Sequence, residues 1–104
     1  MNFPLSAGLL EACVLAELNW QDVYGYQLTQ QLRQVLDISE STLYPVLRRL
    51  QKEACLTTYD QPCQGRNRRY YRITAQGQER LEQARLEWRD YKSGVDRILE
   101  GHEG

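Results

Sequence analysis

Apolar positions recur with helical spacing over the first half of the chain. Leu9, Leu10, Cys13, Val14 and Leu18 mark one side of a helix from about Ser6 to Asn19, with Ser6 as its N-cap. Leu5, Ala12, Leu15 and Ala16 spread apolar surface round the rest, so this helix is expected to be buried on more than one side. After a loop at Trp20–Val23, a second helix is predicted from about Tyr24 to Leu36, with Leu28, Leu32, Val35 and Leu36 as its stripe. Asp37–Ser39 is a short turn. A third helix follows from about Glu40 to Glu53, with Ser39 and Ser41 as rival N-caps. Its inward face is Leu43, Val46, Leu47, Leu50 and Ala54.

The pattern then changes period. Leu56–Tyr59 and Arg69–Thr74 are rich in Thr, Tyr and Ile and read as strands. Asp60–Arg68, with Pro62, Gly65 and Asn67, reads as a long hairpin tip. Thr74 caps a last helix from about Ala75 to Leu99. Along it Leu81, Ala84, Trp88, Tyr91, Val95 and Ile98 step by three and four residues, which is a heptad seam. Gly94 costs about 1 kcal/mol against Ala in that helix. The order ααα-ββ-α is mainly α with a small β-hairpin. It predicts a winged helix-turn-helix over residues 1–74 and a dimerisation helix and tail over residues 75–104.

The net charge of −1 argues against nucleic acid, but its distribution does not. Residues 1–40 carry one base against five acids, residues 41–75 seven bases against two acids, and residues 76–104 five bases against seven acids. A central basic block between acidic flanks is a local electrostatic footprint for duplex DNA. On a helical wheel, the arc of the third helix opposite its apolar face collects Ser41, Thr42, Pro45, Arg48, Arg49 and Lys52, three cations and two hydroxyls with no acid. A helix fits the major groove, and hydroxyls, Lys and Arg reach phosphates while Arg also reads guanine. By itself such an arc is equally well a solvated basic face. The hairpin tip supplies a second basic element: Gly65, Arg66, Arg68 and Arg69 suit phosphates or a narrow minor groove. A protein–protein module that binds an acidic partner is the alternative. Nothing apolar at the tip would anchor such a partner.

The three cysteines, Cys13, Cys55 and Cys63, have neither zinc-ligand nor CxxC spacing and fit a reducing cytoplasm. The apolar N-terminus lacks the basic start of a signal peptide and is interrupted by Glu11 and Glu17. His102 is the only histidine, and no catalytic, metal or phosphate-loop motif is present, so no enzyme activity, cofactor or metal is expected.

Gly25-Tyr26-Gln27-Leu28, Ser41-Thr42-Leu43-Tyr44-Pro45-Val46-Leu47-Arg48-Arg49-Leu50 and Arg69-Tyr70-Tyr71-Arg72-Ile73-Thr74-Ala75-Gln76-Gly77 resemble the PadR-like transcriptional regulators. The single C-terminal helix with Trp88 is similar to the short-tailed branch. The resemblance implies a homodimeric repressor on a pseudo-palindromic operator, and a Tyr44 hydroxyl that donates to a phosphate. It also implies a cavity between first and last helices where a planar aromatic effector stacks on Trp88. Tyr91, Leu5, Leu9 and Ala12 would line it, and Leu81, Ala84, Trp88, Tyr91, Val95, Ile98 and Leu99 would form the dimer contact. Ala54 stands where family members usually have Gly.

Overall fold

The computed structural model describes residues 6–101. Its elements are α1 (Ala7–Trp20), β1 (Val23–Tyr24), α2 (Gly25–Leu32), α3 (Glu40–Lys52), β2 (Leu56–Cys63), β3 (Arg66–Ile73) and α4 (Ala75–Leu99). The winged helix-turn-helix with a long last helix is as the pattern predicts. Ser6 caps α1 by accepting from the Leu9 amide at 3.1 Å, which satisfies one free donor of the first turn. Leu10, Val14, Leu15 and Leu18 of α1 are buried, and α1 packs on α2, α3, α4 and β3 at once. This central placement is why apolar residues surround the helix.

α2 ends a turn earlier than its stripe predicts. Arg33 is the C-cap, and the chain leaves in turns closed by Val35 N–H to Leu32 O at 3.1 Å and Leu36 N–H to Leu32 O at 2.8 Å. Val35 therefore rotates off the apolar face and is 87% exposed. Ile38, from the turn, is buried in its stead. Inside α2, buried Thr29 donates its hydroxyl to the Gly25 carbonyl at 3.0 Å, so this buried polar side chain is satisfied.

Leu43, Val46, Leu47 and Leu50 of α3 are buried as expected, but Ala54 is not part of that face. It lies past the C-cap Glu53 with φ of 64°, in the left-handed region. Cys55 N–H reaches Leu50 O at 2.8 Å, and Ala54 N–H reaches Gln51 O at 3.1 Å. These are the two bonds of a Schellman cap, closed here without glycine. The turn delivers Cys55 and Leu56 into the core.

The hairpin is tighter than a long tip. β2 and β3 pair without a break from Leu56↔Ile73 to Cys63↔Arg66. Only Gln64 and Gly65 turn the chain, with φ of 54° and 79°, as the right-handed strand twist requires of a two-residue loop. A third strand joins them: β1 pairs with β3 at Val23↔Tyr71 and Tyr24↔Tyr70, giving the antiparallel order β1-β3-β2. Two residues are too few to show alternation in sequence.

α4 starts against the end of α3. Thr74 accepts from the Gly77 amide at 3.0 Å and donates its hydroxyl to Ala54 O at 2.7 Å. The Thr74 amide donates to Cys55 O at 3.0 Å, and Gln76 Nε2 donates to Glu53 O at 3.0 Å. A Cβ on Gly77 would collide with the Cys55 carbonyl oxygen. Leu81 departs from the heptad expectation. It is 2% exposed, within the chain's own core, because this first stretch of α4 lies on α1. Beyond it Trp88, Tyr91, Ile98 and Leu99 are exposed.

Two substitutions at this junction have opposite expected signs. Ala54→Gly relieves the left-handed conformation and should stabilise the fold by about 0.5–1 kcal/mol, net of glycine's greater unfolded entropy. Gly77→Ala forces backbone apart and should destabilise it by about 1–3 kcal/mol. Thermal melts followed by circular dichroism should move a few degrees up and several degrees down, respectively.

Candidate nucleic-acid interface

The outer face of α3 presents Ser41, Thr42, Pro45, Arg48 and Lys52, all exposed. At its start the Ser39 hydroxyl lies 2.8 Å from that of Ser41 and 3.2 Å from that of Thr42. Ser39 is the N-cap residue, but its side chain makes no capping bond. The hydroxyls are joined to one another at the helix end where backbone amides favour an anion. Tyr44 is half-buried, with its ring against Gly25 at the start of α2, where a Cβ would meet the phenol. Burial is the main cause that raises the Tyr44 pKa, with Glu40 and Tyr71 adding to it.

Arg49, the remaining cation of the basic arc, is paired within the chain. It turns away from the outer face and grips Glu11 of α1, with Nε at 2.9 Å from Oε2 and Nη2 on the same oxygen. Arg80 of α4 reaches the other Glu11 oxygen at 3.4 Å and Glu53 at 2.6 Å. Four charges from α1, the α3 end and α4 thus form one network at the edge of the core. A helical wheel cannot show this, because the partner carboxylate lies 38 positions away.

The hairpin faces α3 across an open cleft of about 720 Å³, lined among others by Tyr26, Tyr44, Arg48, Arg66, Arg68 and Arg69. Asp60 is the one acid on its lining and lies 3.7 Å from Arg69, with both side chains largely exposed. Such a surface pair contributes little and leaves Arg69 free to exchange partners. Gly65 and Arg66 are exposed at the turn.

The outer face of the sheet holds a stack that the sequence reading missed. Tyr59 donates to Asp22 Oδ2 at 2.7 Å, and Arg72 Nε donates to the same oxygen at 3.0 Å. The Arg72 guanidinium lies 4.9 Å from the Tyr59 ring centre. Tyr59 stacks on Tyr70 at 5.5 Å, Tyr70 meets Tyr24 edge-on at 5.6 Å, and Arg68 lies over Tyr24 at 4.5 Å. Arg68 is half-buried, and its Nε is enclosed without a hydrogen-bond partner. The ring face offsets that loss. The available signal was the alternation of Arg68, Tyr70 and Arg72 on one side of a strand. Cys63 is half-buried at the strand end, and its hydrogen bond with Tyr70 is the largest cause that raises the Tyr70 pKa.

A second concavity lies between α1 and α4. About 620 Å³ is lined by Leu9, Ala12, Ala84, Trp88 and Tyr91, with Ser6, Gly8 and Glu87 completing the lining. Trp88 is 43% exposed, and its ring centre lies 6.3 Å from that of Tyr91. Leu5 falls outside the described residues. Val95 is half-buried, while Ile98 and Leu99 continue the apolar face to the helix end. Among the described residues no helix is long and apolar enough to cross a membrane. No group of three or more His, Cys, Asp or Glu side chains among them is placed to hold a metal.

Three helices, a paired wing and a basic cleft between them define a winged helix-turn-helix regulator of the DNA-binding class. A model of the transcriptional regulator PadR-like family matches residues 14–83, and the chain belongs to that family of transcriptional regulators, which are not enzymes. It is 34% identical over 101 residues to an uncharacterised protein of Lysinibacillus sphaericus, covering 92% of this chain and 93% of that one. It is 40% identical over 65 residues to transcriptional regulator Rv3488 of Mycobacterium tuberculosis, covering 62% and 61% of the two chains. The crystal structure of smu.1704 from Streptococcus mutans superposes with a TM-score of 0.92 at 42% identity over 100% of this chain and 98% of that one. The PadR-like regulator BC4206 of Bacillus cereus superposes with a TM-score of 0.84 at 35% identity, covering 91% and 95%.

The tyrosines around the wing give a pH signature. A hydrogen bond to Asp22 raises the Tyr59 pKa, Cys63 raises that of Tyr70, and burial raises that of Tyr71. The folded chain therefore keeps protons that the unfolded chain releases near its ordinary phenol pKa of about 10. Their stabilisation is complete below that value and is lost as pH rises through the higher folded values. Ultraviolet phenolate absorbance should lag behind that of the urea-unfolded chain on alkaline titration. Tyr59→Phe should remove one late-titrating group.

Proposed function

We propose that the chain is a homodimeric repressor that binds a pseudo-palindromic operator and is released by a planar aromatic ligand. α3 enters the major groove with Ser41, Thr42, Pro45, Arg48 and Lys52 towards the duplex. Tyr44 stands at the groove edge with its hydroxyl towards a phosphate. Gly65 lets the turn approach the backbone closely, and Arg66, Arg68 and Arg69 take phosphates or a minor groove. The observation that carries this reading is the single cleft that brings Arg48 of α3 together with Arg66, Arg68 and Arg69 of the hairpin. Four guanidinium groups against one carboxylate make a surface suited to a polyanion.

The C-terminal half of α4, through Trp88, Tyr91, Val95, Ile98 and Leu99, supports pairing with a second copy. A two-fold axis near the middle of α4 would bring both Trp88 rings to one cavity, completed by Leu9 and Ala12 of α1. Flat aromatic molecules gain from stacking on indole, and cationic ones gain further.

Fluorescence anisotropy with the DNA upstream of the chain's own gene, over a salt series, tests the first part. Arg66→Ala should weaken binding to all sequences and flatten the log–log salt slope by about 0.9, the value for one phosphate left unneutralised. An unchanged slope would take the wing out of the interface. The second part needs Trp20→Phe as background, because Trp20 is also exposed. A planar cationic dye should then quench Trp88 saturably, one dye per dimer. Trp88→Ala should abolish dye binding while sedimentation still reports a dimer. Dissociation into monomers with no quenching in the parent would make Trp88 a core residue.

A further inference from the structure

Arg49 belongs to α3, yet its guanidinium is committed to α1. Glu11 receives two of its nitrogens on one oxygen, and Arg80 approaches the other oxygen. Arg80 also binds Glu53 at the end of α3. The packing explains what such a network can do. α3 rests on α1 and α2, whereas α4 rests on α1. Apart from the joint at Cys55 and Gly77, α1 is the helix on which both α3 and α4 pack. Its apolar side chains set the spacing and the approximate crossing of each helix, to which a directional polar link can add. A two-nitrogen grip on a carboxylate is directional, and although Arg49 is 41% exposed, Glu11 is only 19% exposed, so the carboxylate end of the link is held inside the fold.

We propose that Arg49 is a positioning residue: through Glu11 and Arg80 it locks the angle between α3 and α4, and so the placement of the DNA-facing side chains Arg48 and Lys52. This rests on the DNA-binding reading above and reassigns one cation of that helix from contact to alignment. In a dimer formed through α4, this angle also sets the separation of the two α3 helices, and with it the spacing of half-sites that can be bound together.

A contact and an alignment role differ in their salt dependence and in how mutations combine. A cation that touches phosphate releases counterions, so its removal lowers the salt slope, whereas a misaligned helix lowers affinity at a similar slope. The measurement is anisotropy on a duplex that the parent chain recovers from a randomised pool. It is repeated with the half-sites moved apart by one base pair. Glu11→Gln and Arg49→Gln should each weaken binding about tenfold, and the double variant no further, because both remove one link. All three should keep the parent slope and lose most of its preference for the original spacing. Arg49→Lys keeps the charge but cannot grip Glu11 with two nitrogens, and it should behave like Arg49→Gln. Melting temperatures identify any variant that merely unfolds, and Arg49→Lys keeps the comparison open if Arg49→Gln does. A slope lower by about 0.9 in Arg49→Gln would make Arg49 a phosphate contact and overturn the proposal. Parental binding by Arg49→Lys, or by Glu11→Gln, would overturn it too. If the parent recovers no duplex at all, the DNA-binding reading fails with it, a result separate from all of these.

Discussion

The joint between α3 and α4 is the constraint on which the rest of the structure depends. α3 ends in a left-handed Ala54, and the next carbonyl, that of Cys55, is pressed against Gly77 and receives the Thr74 amide. The whole hairpin is looped out between these two points. α3, the wing and the long last helix are therefore held together by a handful of backbone atoms. Position 54 carries a residue ill-suited to its φ, because the cap bonds and the burial of Cys55 and Leu56 behind it outweigh about 1 kcal/mol of local strain. Position 77 has no such latitude, since the obstacle there is backbone.

Charge is partitioned by the same geometry. Of the seven cations in the central block, Arg49 and Arg72 are held by carboxylates of distant segments, Glu11 and Asp22. Arg68 is held by an aromatic ring. The acids of residues 1–40 thus do more than balance the total. Two of them brace basic residues that would otherwise repel one another. Arg48 and Arg66 remain exposed on the cleft, and Lys52 on the outer face of α3.

Features set by near neighbours were legible in the sequence. Ser6 and Thr74 cap their helices, and the α3 stripe from Leu43 to Leu50 is buried. Those depend on intervals of three and four residues, which the helix imposes. Features set by remote packing were not. Val35 and Leu81 fit their periodic patterns, but the helix stops short of one and α1 covers the other. Arg49 fits a basic arc, yet a carboxylate far away in sequence captures it. The second wall of the α1–α4 concavity was legible as surplus apolar surface on α1, and the Tyr59–Tyr70–Tyr24 stack was not, because it needs β1 to exist.

The uninterrupted pairing of β2 and β3 limits how the wing can change length. Arg66 and Arg68 share one side of the ribbon with Tyr70 and Arg72, while Asn67 and Arg69 share the other with buried Tyr71. One residue added to either strand would exchange the two sides from the insertion onward, putting cations where tyrosines stack. Residues added in matched pairs across the ribbon lengthen it and leave its faces intact. Viable wings of this kind should thus differ in reach by whole pleats, a discrete ruler for how far from the helices the arginines extend.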